Sequence, residues 1–170
     1  MEILKAATEW AKAEAFSARF IILFGLIFII ATVGFWQLGK TEVAKAFVSP
    51  TLVAGIIALA IGFGIFFTNR ARTTSFETAY RDDPMGFVKS EIVRSEKTLG
   101  EFRTIVFKIV PCIIIAAALL IIFVDKAQWR AIAITTIALM FLILAVDINS
   151  NARIEKYHKQ LISVEDQDKT

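Results

Sequence analysis

The stretch Ala145-Val-Asp-Ile-Asn-Ser-Asn-Ala-Arg153 holds the residues best suited to chemistry, because Asp147, Asn149 and Asn151 alternate like the opening of a calcium loop. Such a loop needs glycine at its sixth position and glutamate at its twelfth. This chain offers Ala152 and His158 there, so no metal site is predicted. Asp147 instead closes a long apolar run, and Lys108 lies near the start of another. Ionisable groups at membrane depth are costly and are functional candidates by default. If the two runs form an antiparallel hairpin, the midpoint of Lys108 and Asp147 falls in the turn Lys126-Ala-Gln-Trp129, which puts both at one level. Three readings follow, the first two being a direct Lys108–Asp147 pair and two side chains reaching interfacial water separately, lysine by snorkelling. A part in ion or proton movement is the third. No acidic residue lies near the middle of any apolar run, which argues against a proton-coupled exporter of the small four-helix type.

Other chemistry is sparse. His158, the one histidine, lies on a polar tail and is expected to be solvated. Cys112, the one cysteine, allows neither an intrachain disulfide nor a cysteine cluster. There is no phosphate-cradling glycine loop and no GxSxG sequence. Tyr80, Tyr157, Glu77 and Asp82 form a polar site only if folding gathers them. The expectation is a protein without catalytic residues, cofactor or metal, and not an enzyme.

The elements that position these residues are clear. Of 170 residues, 56% are hydrophobic, and mean hydropathy is +0.64, well above the roughly 45–50% apolar content of soluble domains. Four apolar runs, Phe20 to Leu38, Val48 to Phe67, Ile105 to Val124 and Trp129 to Val146, approach the roughly 20 residues that cross a hydrocarbon core. The first run is too long for a signal-peptide core and follows a helical segment, so no cleaved signal peptide is expected. With both termini inside, 15 lysines and arginines face the cytoplasm and four face out, the asymmetry of a cytoplasmic-type (inner or plasma) membrane protein. Fourteen acidic residues nearly balance the inner cations. The net charge of +3 therefore implies no nucleic-acid partner.

The predicted fold is an all-α integral membrane protein of four transmembrane helices in two hairpins. Residues 1–16 form an amphipathic helix whose narrow, alanine-rich face reads as lying in the membrane interface, with docking onto the cytoplasmic face as the alternative. Residues 17–68 and 105–149 are the two transmembrane hairpins. Residues 69–104 make a cytoplasmic helical hairpin, interrupted at RDDPMG, where Asp83 reads as an N-cap and Pro84 as the first helical residue. Residues 150–170 form a helical tail with a frayed end. Trp10, Trp36 and Trp129 are the expected interfacial anchors. Ala54, Ala58 and Gly62, four residues apart, are a helix-packing stripe. Pro50 and Pro111 fall in the first turns of their runs, where a missing N–H is tolerated. Asn69-Arg-Ala-Arg72 weakly echoes Ser150-Asn-Ala-Arg153, and Phe76 and Tyr157 follow at the same offset of 81.

Met85, Val88, Ile92, Leu99 and Phe102 recur near helical spacing and form a candidate interaction surface. The function expected is therefore protein–protein interaction in the bilayer: an accessory, assembly or partner-neutralising subunit, binding another membrane or cytoplasmic protein or itself. The alternative is a small oligomeric channel or transporter, with Thr51, Gly62, Gly64, Thr135 and Thr136 along a path.

Overall fold

A computed structural model describes residues 2–168. These are almost wholly helical and include no strand. Helix α1 spans Glu2–Leu38, the short α2 Glu42–Ala46, α3 Val48–Asp82 and α4 Pro84–Thr104. A π-helical segment, Ile105–Ile109, joins α4 to α5, Val110–Phe123, and α6 spans Ala127–Asp168. Four of the helical stretches are long and apolar enough to cross a membrane. At about 1.5 Å per residue, the 37 residues of α1 far exceed a bilayer core. The surplus of each long helix gathers at one end as a polar head.

Local chemistry sets the breaks. Asp83 leaves the helical region at φ −149° and its Oδ1 accepts the Gly86 N–H at 2.9 Å, with Pro84 at the first helical position. The expected cap is formed as read. Pro111 differs. The helix runs unbroken through it, so proline occupies an interior position, where its ring crowds the preceding turn and one N–H is missing. The π turns just upstream answer this: Val110 N–H reaches back to Ile105 C=O, which widens the helix ahead of the ring. Helix α6 runs through Asp168, so the polar end is helical as far as it is described. Met1 and residues 169–170 lie outside the described residues.

In the apolar half, α1 and α3 pack antiparallel and very closely. A Cβ on Gly62 would fall 2.7 Å from Ile22 Cγ1 and 3.0 Å from the Ile22 backbone nitrogen. Ala54, Ala58 and Gly62 are buried there, so the small-residue stripe serves intrachain packing. Near the far end, the Thr32 and Thr51 hydroxyls lie 2.9 Å apart, so that one donates to the other while the second donates to a carbonyl one turn back in its own helix. Ile21, Ala54, Ala58, Leu139 and Leu142 form one apolar layer. Helix α5 packs against α6 alone, apart from the π segment it continues.

In the head, α1–α3, α3–α4, α4–α6 and α6–α1 are neighbours, leaving α1 and α4 on a diagonal. The core holds Ile3, Ala7, Trp10, Ala11, Phe76, Phe87, Val88, Ile154, Tyr157 and Leu161. Two expectations change here. Residues 2–16 are not a separate interfacial helix but the first turns of α1, and Trp10 is 8% exposed rather than an interfacial anchor. No residue breaks the helix before the apolar run, so the segment continues the axis of α1, and its alanines permit close approach to neighbours. The stripe Met85, Val88, Ile92, Leu99 and Phe102 is also turned inward. Val88 is 1% exposed, Ile92, Leu99 and Phe102 pack against the core, and Met85 is half-buried. An amphipathic face read from sequence does not say whose surface covers it. Here the chain covers its own.

Candidate functional site

Polar side chains meet where the head joins the apolar half. The indole of Trp10 stacks on Tyr157 with centroids 5.6 Å apart. Arg94 reaches across the α1–α4 diagonal to lie 4.4 Å from the indole centroid, while two of its nitrogens donate to the Glu91 carboxylate. Glu91 also accepts the Tyr157 hydroxyl at 3.0 Å. Burial, reinforced by Glu91, pushes the Tyr157 phenol far above its usual range. The buried carboxylate is thus neutralised and hydrogen-bonded at once, which its 5% exposure demands.

A second network ties α1 to α6. Glu14, 8% exposed, accepts Ser150 Oγ at 2.8 Å and Arg153 Nε at 2.9 Å. Arg153 Nη2 donates onward to Ser17 and Ser150. The weak sequence echo acquires a place in the fold: Asn69 and Ser150 are both buried, and Phe76 and Tyr157 share the head core.

Between these networks lies a chamber of about 190 Å³. All four long helical stretches line it, through residues that include Trp10, Glu14, Ser17, Asn69, Arg72, Arg94, Thr98, Asp147 and Ser150. Trp10 of the head core and Ile21 of the apolar layer both line it. Two of its charges differ from the rest. Arg72 donates to Asn69 Oδ1 at 3.0 Å and sits 5.7 Å from the Trp10 centroid, yet no carboxylate lies within ion-pair distance of it among the described residues. Burial, then the like charge of Arg94, lowers the Arg72 pKa from its ordinary value, against the opposing pull of the Glu91 and Glu14 carboxylates. Asp147 lines the same chamber with neither hydrogen bond nor ion pair among the described residues. The Trp10 indole N–H is buried and has no acceptor among the described residues.

Lys108 and Asp147 therefore do not pair. Lys108 is exposed on the π segment, whereas Asp147 is half-buried and lines the chamber. Hairpin symmetry sets the level of two residues but not their direction around each helix. His158 is not simply solvated: its Nδ1 lies 2.7 Å from Ser95 Oγ, which also donates to Ile92 C=O. Ser95 is fully buried, so the pair joins α4 to α6 and offers no accessible nucleophile. Trp36 and Trp129 are exposed, at 71% and 48%, on the end opposite the head. Nearby, Thr135 and Thr136 line a groove of about 320 Å³ between α3 and α6. Thr51 and Gly62 are buried in the α1–α3 contact, and Gly64 faces open space. No group of three or more His, Cys, Asp or Glu among the described residues is arranged to hold a metal. Of Tyr80, Tyr157, Glu77 and Asp82, Tyr157 is buried in the core, Tyr80 packs edge-on against Phe87, and Glu77 and Asp82 are exposed.

The chamber was not legible in sequence, because Trp10, Glu14, Arg72, Arg94 and Asp147 come from four separate segments. The only signal was the Asn69–Arg72 and Ser150–Arg153 echo. In comparison with known proteins, no family model, no curated protein and no solved structure matches the chain.

Proposed function

We propose that this chain is a four-span integral protein of a cytoplasmic-type membrane, with both termini and the head on the cytoplasmic side. It acts without catalysis, by contact with another membrane protein or with a second copy of itself, as an accessory, assembly or regulatory subunit. The basic residues support the orientation, with 14 of those described on the head side and four on the other. The observation that carries the function is the isolation of α5. Among the described residues the helix has α6 as its one neighbouring helix, and it presents Ile115, Leu119 and Ile122 outward at 59%, 48% and 68% exposure. Between helices in lipid, attraction comes from close packing rather than from the hydrophobic effect. A helix held on one side gains most from a further protein neighbour. The interface thus moves from the α4 stripe, which the chain itself covers, to α5.

Cys112 is exposed on α5 and provides the test. Oxidative crosslinking in native membranes is expected to trap either a homodimer, at twice 18.9 kDa, or one discrete heterologous product. Substituting Leu119 and Ile122 by alanine abolishes the product while leaving insertion intact. A chain that stays uncrosslinked and co-purifies with nothing refutes the reading.

One observation favours a second reading, a small channel or transporter. The polar chamber and the α3–α6 groove lie on opposite sides of the apolar layer containing Leu139 and Leu142. Reconstituted vesicles would then show solute or ion flux that rises when both leucines become alanine. Absence of flux in wild type and variant alike removes this reading.

A further inference from the structure

The interhelical networks explain Glu14, Arg153, Glu91 and Arg94 as structural partners. They leave Arg72 and Asp147 unexplained. Both face one chamber, carry opposite charges and lack an ionic partner among the described residues. Partly buried charges are expensive to leave uncompensated, and two opposite ones in one cavity would pair directly if the helices let them meet. The repeat-like echo shows why Arg72 is left over. Arg153, 81 residues further on, is answered by Glu14, but the residue 81 places after Glu14 is Ser95. Ser95 carries no charge and is occupied by His158.

We infer that the chamber binds a small zwitterion, a group bearing an oxyanion and a primary ammonium, of which an α-amino acid is the simplest free form. The oxyanion sits at Arg72, whose planar guanidinium recognises carboxylate and phosphate by paired hydrogen bonds. The ammonium sits at Asp147, near Glu14. Trp10, whose buried indole N–H has no acceptor among the described residues, also lines the chamber. A volume of about 190 Å³ suits such a ligand, since a protein cavity of about 150 Å³ accommodates benzene. Neither a lone anion nor a lone cation fits as well, because each would leave one of the two charges without a partner at ion-pair distance. The same chemistry occurs in a phosphatidylethanolamine headgroup, and the chamber lies at the level where the head meets the apolar half.

The test uses the full chain in nanodiscs of phosphatidylcholine, followed by calorimetry with glycine, alanine and serine as probes. Saturable binding is expected, with acetate and methylammonium each at least tenfold weaker. Arg72→Gln and Asp147→Asn each lower glycine affinity about tenfold or more. Asp147→Asn also narrows or reverses the preference for glycine over acetate, a change of selectivity that loss of fold would not produce. Lys108→Gln binds like wild type. Competition by phosphoethanolamine, together with loss of glycine binding in phosphatidylethanolamine nanodiscs, assigns the site to the headgroup. Glycine binding that persists in those discs assigns it to the free solute. If neither probe binds, or if acetate binds wild type as well as glycine does, the inference is overturned.

Discussion

Replacing Gly62 by alanine tests the close contact on which the apolar half depends, and Gly64 supplies its control. Both glycines lie on α3, two residues apart, and both gain about 1 kcal/mol of helix propensity on becoming alanine. They differ in surroundings. The new methyl at position 62 would sit 2.7 Å from Ile22 Cγ1 and 3.0 Å from the Ile22 backbone nitrogen, whereas position 64 has nothing within 4 Å. A side chain can swing away, but a backbone nitrogen inside a helix cannot, so α1 and α3 must separate. Overpacking of this kind costs about 1–3 kcal/mol. Because the propensity gain cancels between the two variants, their difference reports the clash alone, about 1–3 kcal/mol, or roughly five- to 150-fold in the folded ratio. Unfolding by denaturing detergent in mixed micelles, followed by circular dichroism, measures it. Gly64→Ala is expected to equal or exceed wild type, and Gly62→Ala to fall below Gly64→Ala. Variants that agree within about 0.5 kcal/mol would show that α1 and α3 are not packed this closely.

Arg153→Ala strands the Glu14 carboxylate, whose side chain is 10% exposed. It is expected to destabilise by about 2–4 kcal/mol, reduced from the fully buried range because the arginine itself is 29% exposed. The same unfolding assay should recover much of this loss when Glu14→Gln is added. Tyr157→Phe removes the hydrogen bond to Glu91 and should cost about 1.5–3 kcal/mol. The fold favours the protonated phenol, because its folded pKa is raised above the ordinary 10.0. Its contribution is therefore complete below pH 10 and declines above it, as the unfolded phenol ionises first. Alkaline difference absorbance between wild type and Tyr157→Phe should show no phenolate from this residue near pH 10 while the protein stays folded; a normal transition there would contradict the burial. Val88→Asp is expected to unfold the head, not merely to release a partner. Insertion with a native head spectrum would restore α4 as an outward surface.

Much of the architecture follows from local sequence. Four apolar runs of membrane length, the Asp83–Pro84 break and the small stripe Ala54, Ala58, Gly62 are each encoded within a few turns of chain. Run length, capping chemistry and side-chain size are local properties, so they can be read without a fold. The direction in which a face points is not local. The face of residues 2–16 and the stripe from Met85 to Phe102 are amphipathic whether they meet lipid, a partner or one another, and only tertiary packing turned both into a shared core. The pairing of charges was likewise undecided. Lys108 and Asp147 could be placed at one level from the hairpin turn, but the angle at which each leaves its helix depends on the whole path of the chain, including the π turns before Pro111. The chamber lies furthest from the sequence: Trp10, Glu14, Arg72, Arg94 and Asp147 span 138 positions of chain and become neighbours only when four long helical stretches align. The four stretches long and apolar enough to cross a membrane were thus determined by composition and run length alone. Which charges are paired, and which stay without an ionic partner among the described residues, was decided by how the helices pack.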